Sequence, residues 1–497
     1  MLRLLQDGTG GPMSGGVEGV EPSVRRRRHR QARLALLLLC ASTATACGAR
    51  WTDEQRAALE AGPAVQLDRT ADATAAGPSR SAARTVGAEG TPVPTGVDTG
   101  AAAPVADGAA PTAVAGDTDA AAEPAALACS APSDAPGVTD DAIEVLSISA
   151  LSGPVPGLGA SAAAATRSHI AYRNATGGVC GRQIVQREAD DGTDAGRYRR
   201  IVQEHADRVL GIAGGFTVGD YGAADVLRST GMPVVNVISS DELLAVPTIF
   251  DVNPPYDDPA AVNAKYRFLH EQGARRVAFV YIAVDQSRQL VARERAQLEL
   301  AGLEVVLVRE LPLSTLSYDS AAQAVANSGA DYMIFISSVD GNSSMARSMH
   351  GVDHDVVYPE YYSFAYGSGF VEGAGAEAAE GAVTWLRTRP LSDAGTNPEV
   401  AAFTEWMDRT APGSVQDQYA ADAWVGTRAF FDALERIPGP ITREAFVGAL
   451  RSTDLYDARG MMGGIHLGRN LTRGCLIGLR YTAGDWQRIT PGQDFLC

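Results

Sequence analysis

The chain from about residue 137 onward alternates short apolar runs with longer stretches of helical spacing. The apolar runs, rich in β-branched and aromatic residues and bounded by turn residues, predict strands at 143–149, 183–188, 209–213, 234–238, 277–282, 304–311, 332–336 and 357–364. The stretches between them predict helices at 160–174, 195–206, 221–229, 258–272, 288–301, 320–328 and 342–349. Strand alternating with helix predicts an α/β fold with parallel sheets flanked by helices.

Two such series predict two lobes, and Pro254-Pro255 lies between the series. Three further helices are predicted at 398–410, 418–437 and 442–451, the last with Thr442 as N-cap and Glu444 in its first turn. Their aromatic residues have helical spacing and are expected in the core: Trp406, Trp424, Phe430 and Phe431. The predicted lobe ranges are about 137–253 with 390–465 for lobe 1, and about 254–389 with 466–497 for lobe 2.

The N-terminal segment has the pattern of an export signal. A basic cluster at 25–30 precedes an apolar stretch at 34–46, which is shorter than the roughly 18 residues that a membrane-spanning helix needs. Small residues directly before Cys47 resemble the lipobox of bacterial lipoproteins. We therefore expect a signal peptide at 1–47 and a lipid on Cys47; ordinary cleavage that leaves a free Cys47 thiol is the alternative.

Residues 48–136 are dominated by Ala, Gly, Pro, Thr and Asp. Such a segment has too few large apolar side chains to offset the entropy lost on ordering. We expect a disordered linker that holds the folded part away from the membrane surface.

Composition narrows the possible functions. The 497 residues are 45% hydrophobic and 20% charged, with a formal net charge of −17. The excess of acidic residues argues against nucleic acid as the main partner. The hydrophobic fraction fits a globular protein rather than a membrane-spanning transporter.

Four of the six cysteines remain once the signal peptide and the lipid site are set aside. They are Cys129, Cys180, Cys475 and Cys497. Four cysteines allow three pairings, and an exported protein favours disulfides. A terminal hairpin predicted from 476–481 and 486–489 favours Cys475 with Cys497, which leaves Cys129 with Cys180. A zinc site is the alternative, although no pair has the short C-x2-C spacing.

Several segments together carry a family resemblance. The motifs are ISALSGP at 148–154, YRNATGGVCGR at 172–182, DDGTD at 190–194 and GIAGGF at 211–216, together with the aromatic-rich helix at 418–437. They resemble the leucine/isoleucine/valine-binding family of type I periplasmic substrate-binding proteins of ABC importers, over nearly the whole folded part. Cys180 and the C-terminal cysteine resemble an actinobacterial lipoprotein subgroup of that family.

The resemblance implies a monomer with two lobes that closes on a small polar solute, such as an amino acid or an amide, and delivers it to ABC permease and ATPase subunits. It implies no cofactor, no metal and no catalytic residue. The expected location is the outer face of the cell membrane.

Loops after the strands supply the candidate ligand-binding residues, because open α/β sheets bind ligands at the carboxyl ends of their strands. The candidates on lobe 1 are Ser152, Gly153, Pro154, Gly215, Phe216, Thr217, Ser239 and Ser240. The candidates on lobe 2 are Tyr281, Asp285, Ser338, Asp340, Phe364 and Tyr366. For Ser239 and Ser240, helix capping is the alternative role.

One departure from the family pattern concerns the ligand. Amino-acid-binding members hold the α-ammonium group with a carboxylate in the loop that here reads FAYG at 364–367, which contains no acid. Asp340 or Glu372 are the nearby substitutes. A neutral or anionic solute is therefore an equal alternative to a branched-chain amino acid.

Enzyme motifs are weak. His350 and His354 are four residues apart, but Gly351 interrupts the helix that would align them. The chain has neither a dinucleotide-binding glycine motif nor a P-loop. Two other function classes remain open: a ligand-sensing lipoprotein that signals to a receptor, and a secreted hydrolase.

Overall fold

The computed structural model describes residues 128–155, 157–255, 263–362 and 365–497. The predicted signal peptide, Cys47 and the linker as far as residue 127 lie outside these ranges and stay predictions. Residues 128–136 were assigned to the linker, but the structure packs them on lobe 1. Cys129 is fully buried in a disulfide, and Ser133 Oγ donates a hydrogen bond to the carbonyl of Ile441.

The first sheet has five parallel strands in the order β2-β1-β3-β4-β5. The strands are β1 (Ala142–Ser149), β2 (Gln183–Asp190), β3 (Ile212–Ala213), β4 (Val234–Asn236) and β5 (Ile249–Asp251). β1 and β2 pair along their full length, from Ala142 opposite Gln183 to Ser149 opposite Asp190. The sequence predicted β1 to β4, with β3 and β4 longer than observed, and missed β5.

The second sheet has seven strands in the order β14-β13-β10-β9-β8-β6-β7. Its strands are β6 (Arg276–Ile282), β7 (Glu304–Leu311), β8 (Tyr332–Ile336), β9 (Tyr358–Tyr361), β10 (Val383–Leu386), β13 (Ile477–Thr482) and β14 (Asp485–Arg488). β6 to β10 run parallel, and the hairpin β13-β14 adds antiparallel to β10. A separate two-stranded sheet pairs β11 (Ile465–His466) with β12 (Leu471–Thr472).

Helices cover both sheets. They are α1 (Ala160–Ala175), α2 (Ala195–His205), α3 (Ala224–Thr230), α4 (Asp241–Leu244), α5 (Ala264–Glu271), α6 (Asp285–Leu300), α7 (Asp319–Ser328), α8 (Val339–His350), α9 (Ser368–Ala374), α10 (Ala376–Ala379), α11 (Pro398–Thr410), α12 (Gln418–Leu434) and α13 (Arg443–Arg451). Thr442 caps α13 as predicted, because its side chain accepts a hydrogen bond from the Ala445 amide. The short helices α4, α9 and α10 were not predicted.

Alternating side chains of each sheet enter two different cores, as a strand buried on both faces requires. In β1, Ile143 and Val145 pack with α1 and α11 to α13, whereas Leu146 and Ile148 pack with α2 and α3. β6 divides its apolar side chains between two cores in the same way. The predicted core aromatics Trp424, Phe430 and Phe431 are buried, and Trp406 packs against the same core.

Both predicted disulfides are present, Cys129 with Cys180 and Cys475 with Cys497. Backbone hydrogen bonds position the two cysteines of the C-terminal disulfide. Next to that disulfide, the backbones of Leu476 and Leu496 exchange hydrogen bonds of 2.9 and 2.8 Å. Those bonds bring the end of the chain back beside β13.

The chain passes between the sheets after β5, after β10 and after β12. α11 to α13 follow β10 in sequence but pack in the core of the first sheet. Each lobe is therefore built from separated parts of the chain, and the exact lobe boundaries stay a prediction. Within the described ranges, no helix has both the length and the hydropathy needed to cross a membrane.

Candidate ligand-binding site

A cavity of about 370 Å³ lies between the two lobes. Lobe 1 contributes the end of β4, residues 238–241, and the end of β5 with the segment after it, residues 251–255. Lobe 2 contributes one face of α6 and the residues at or just after the ends of β9 and β10. Residues 462–465 and 474–476 close the remaining side.

Strand ends and helix spacing explain why polar side chains meet in this cavity. Tyr362 and Arg387 follow β9 and β10 directly, at the edge where parallel strands end. Leu290, Glu294 and Gln297 are spaced by four and three residues along α6, so they share one face of that helix.

A buried ion pair forms part of the wall. Lys265 Nζ lies 3.2 and 3.4 Å from the two carboxylate oxygens of Glu360, and Tyr332 donates its hydroxyl to the same carboxylate. Burial alone would lower the pKa of Lys265, but the charges of Glu360 and Glu294 outweigh burial, and the pKa is raised. Lys265 is therefore held as an ammonium ion inside the cavity wall.

Arg387 is held by lobe 1. Its Nη2 donates to Asp422 on α12, and its backbone amide donates to Gln418 Oε1 at 3.1 Å. Gln418 also donates to Asp422 at 2.7 Å, so β10 is joined to α12 by a buried polar network. Among the described residues, Arg387 Nε has no hydrogen-bond partner.

Of two buried aspartates in lobe 1, Asp251 lines the cavity, and Asp220 contacts the lining residue Ser239. Asp251 Oδ1 accepts hydrogen bonds from the amides of Asn253 at 2.8 Å and Ile238 at 3.1 Å. Burial raises the pKa of Asp251 to about 7, despite these bonds and the charge of Arg387. Burial also raises the pKa of Asp220, to about 6.

Of the predicted site residues that the structure describes, Ser239 and Ser240 line the cavity. Ser239 donates from its hydroxyl and its amide to Asp220. Ser240 caps α4, because its hydroxyl accepts from the Leu243 amide at 3.4 Å. The capping alternative is therefore confirmed for Ser240, which caps the helix while lining the cavity.

The loop at 152–154 is attached to the end of β2. The amides of Leu151 and Ser152 and the Ser152 hydroxyl donate to the carboxylate of Asp190. Partial burial would raise the pKa of Asp190, but these bonds and one from the Gly192 amide hold it at about 2. Gly153 has φ +97°, and a Cβ there would lie 2.1 Å from the Gly192 carbonyl oxygen. Pro154 is exposed.

Residues 215–217 make contacts inside lobe 1. The Gly215 amide donates to Thr166 Oγ1 at 2.9 Å, and Phe216 stacks on Tyr419 with ring centroids 4.0 Å apart. Thr217 is buried and donates its hydroxyl to Asp191.

The described lobe 2 candidates, Tyr281, Ser338, Asp340 and Tyr366, do not line the cavity. Tyr281 donates to Glu310 at 3.0 Å, Ser338 caps α8, and Asp340 is exposed in the first turn of α8. Tyr366 accepts from the Leu391 amide at 2.6 Å. Phe364 and the side chain of Asp285 lie outside the described structure. A ligand role for the candidates away from the cavity stays a prediction.

The sequence reasoning missed the charged residues of the cavity: Asp251, Lys265, Glu294, Glu360 and Arg387. Asp251 ends β5, and Arg387 follows β10, and neither strand had been predicted. Recognising VTWL at 383–386 as a buried strand would have placed Arg387 at a strand end. His350 ends α8 at Gly351, so that helix does not continue to His354.

Two sheets of mainly parallel strands with a cavity between them define a two-lobed, type I substrate-binding protein. The family described as periplasmic binding protein matches residues 142–476, and the chain belongs to this family. It is 23% identical over 372 residues to "Leu/Ile/Val-binding protein homolog 7" of Brucella abortus (strain 2308), covering 70% of this chain and 91% of that relative.

Solved structures show the same fold. A fatty acid ABC transporter substrate-binding protein from Thermomonospora curvata has a TM-score of 0.61 at 20% identity, covering 74% of this chain and 95% of that one. The branched-chain amino acid transporter substrate-binding protein LivJ from Streptococcus pneumoniae, in complex with isoleucine, has a TM-score of 0.58 at 15% identity. The match covers 71% of this chain and 99% of that one.

Proposed function

We propose that this chain is the extracytoplasmic substrate-binding subunit of an ABC importer and captures a small polar solute between its two lobes. The observation that carries this proposal is the cavity whose wall comes from both lobes. A ligand that contacts both lobes stabilises the arrangement in which they are close together. The names of the relatives support the importer role.

Delivery follows from the same geometry. A permease that binds both lobes at once recognises only the arrangement that the ligand stabilises, so binding and delivery are coupled. A lipid on Cys47 and a tether before residue 128 would keep this surface near the permease. The protein acts as a monomer and carries out no chemical step on its ligand.

Thermal unfolding of the full chain with a solute panel tests the proposal. The panel contains amino acids, amides, amines, organic acids and sugars. A solute at about 100 times its dissociation constant adds roughly 2.7 kcal/mol to the free energy of unfolding, which raises the unfolding midpoint.

A pair of variants on α6 locates the binding site. Leu290→Trp fills part of the cavity, whereas Leu300→Trp places the same ring at an exposed position of the same helix. We expect the ligand-induced shift to be lost in the first variant and kept in the second. A shift that survives Leu290→Trp, or no shift with any solute, would contradict the proposal. Binding that fails to stimulate the ATPase of the reconstituted permease would favour the sensing alternative.

A further inference from the structure

We propose that the cavity is selective for a small organic cation, such as an amine or amidine, whose positive group lies against Asp251 of lobe 1 and Glu294 of lobe 2. This inference rests on the proposed function and names the ligand class. It differs from the neutral or anionic solute that the missing acid at 364–367 suggested.

The charged residues of the cavity wall are not fully paired with one another. Among the described lining residues there are three cations, and each has a carboxylate partner: Lys265 with Glu360, Arg293 with Asp241 and Arg387 with Asp422. Asp251 and Glu294 also line the cavity, and neither forms an ion pair with a described residue. The wall therefore has more negative than positive charge.

Asp251 has a free acceptor in the cavity. The residue is only 1% exposed, and both amide donors bind the same oxygen, Oδ1. Its second oxygen, Oδ2, accepts no hydrogen bond from the described residues. A buried carboxylate oxygen without a donor is costly, and a cationic donor is the partner that removes most of this cost.

Glu294 faces the cavity from the opposite lobe. It is 9% exposed, and Tyr266 donates its hydroxyl to Oε2, which leaves Oε1 without a donor from the described residues. Lys265 also interacts with the charge of Glu294. One ammonium neutralises only one of the two carboxylates, so Lys265, Glu360 and Glu294 together keep a negative charge.

The positive groups of the wall already have carboxylate partners; Arg387 Nε lacks a hydrogen-bond partner among the described residues, but the Arg387 guanidinium is paired with Asp422. Lys265 and Arg387 each have a carboxylate within ion-pair distance, and Arg293 lies beside Asp241. An anionic ligand would have to compete with these carboxylates and would also meet Asp251 and Glu294. A cation meets two acceptors, one on each lobe, and so joins the lobes.

Calorimetric titration of the full chain tests the ligand class. The cationic probes are 1,4-diaminobutane, guanidine and choline, and the comparison probes are leucine, hexanoate and glucose. We expect binding of a cation, weakened at least about tenfold in Asp251→Asn and in Glu294→Gln, because each loses a charged partner. Glu299→Gln is the matched control, since Glu299 is exposed on the same helix and does not line the cavity.

The outcomes separate the two proposals. Binding of leucine, hexanoate or glucose in preference to every cation would overturn the cation assignment and leave the importer role standing. Cation binding that is unchanged in both variants would also overturn it. Circular dichroism of each variant shows that the fold is intact.

A thiol probe tests the charge of the cavity without a known ligand. Leu290→Cys places a thiol on the cavity wall one turn before Glu294. We expect a trimethylammonium methanethiosulfonate to modify position 290 several-fold faster than the sulfonate reagent of similar size, as measured by peptide mass spectrometry. Glu294→Gln should reduce this ratio. Equal rates, or a faster reaction of the anionic reagent, would overturn the proposal.

Discussion

At the scale of single residues, Asp251 combines a cost in stability with a free acceptor in the cavity. Burial favours its neutral form, although two backbone amides and Arg387 favour the charged form. Asp220, which accepts from Ser239, adds a second negative charge nearby and favours the neutral form further. A ligand that donates to the Asp251 carboxylate can offset this loss of stability.

The pH dependence of stability should therefore change in Asp251→Asn. The native pKa of about 7 exceeds the ordinary value of 3.8, so the native state holds this proton more tightly than the unfolded state. Ionisation of the buried Asp251 carboxyl lowers the free energy of unfolding. This loss of stability is absent below the ordinary pKa of 3.8, grows as the pH rises from there to about 7, and is complete above that pH. Asparagine keeps the acceptor for both amides and does not ionise.

We expect the ligand-free variant to be more stable than the wild type by about 2 to 4 kcal/mol at pH 8, and nearly equal to it at pH 4. Urea unfolding at the two pH values measures the difference. An equal effect of the substitution at both pH values would contradict the assignment of the raised pKa to Asp251.

At the scale of elements, the segment that enters lobe 1 is fastened by a disulfide and a buried cation. Cys129 is bonded to Cys180, and the guanidinium of Arg182 donates to the carbonyl oxygens of Thr139, Cys129, Cys180, Ser130 and Ala131. Arg182 is 1% exposed. The entry segment therefore belongs to the folded lobe, although its composition resembles the linker.

Removing this disulfide should reduce stability measurably. The bridge closes a loop of 51 residues, and the chain-entropy relation gives about 4 kcal/mol for that length. We expect Cys129→Ser with Cys180→Ser to lower the free energy of unfolding in urea by about this amount. Cys475→Ser with Cys497→Ser, which opens a loop of 22 residues, should cost about 1 kcal/mol less. A loss below 1 kcal/mol for the first pair would contradict this account.

The elements also show how far the sequence determines the fold. Long strands such as β1, β6 and β7 were predicted because seven or eight residues establish an apolar pattern. β4 has only three residues but was predicted, because it lies in the longer run VVNVI at 234–238, whereas the short apolar stretches of β5 and β10 end at Asp251 and before Arg387. The missed strands explain the missed site residues. Ser239 follows a predicted strand, whereas Asp251 and Arg387 lie at strands that were not predicted.

At the scale of the whole molecule, one exposed ion pair joins the lobes at the cavity. Arg293 on α6 and Asp241 at the start of α4 are 3.7 Å apart, with side chains 53% and 68% exposed. Solvent screens such a pair, so its contribution is on the order of 0 to 1 kcal/mol.

Arg293→Gln should therefore weaken ligand binding by no more than about fivefold, because it removes a contact between the lobes and leaves Asp251 and Glu294 unchanged. Calorimetric titration at low and at high salt checks this, and we expect the difference from the wild type to disappear at high salt. A loss of a hundredfold would show that Arg293 contacts the ligand directly.

The separated parts of lobe 1 also have a consequence for biosynthesis. One core of the first sheet needs α11 to α13, and the last of these helices ends 200 residues after β5, since 451 − 251 = 200. At roughly 5 to 20 residues per second, the ribosome completes that core about 10 to 40 seconds after the last strand of the sheet has been translated. Until α11 to α13 have been made, lobe 1 lacks one side of that core, and we expect it to stay unfolded during this interval.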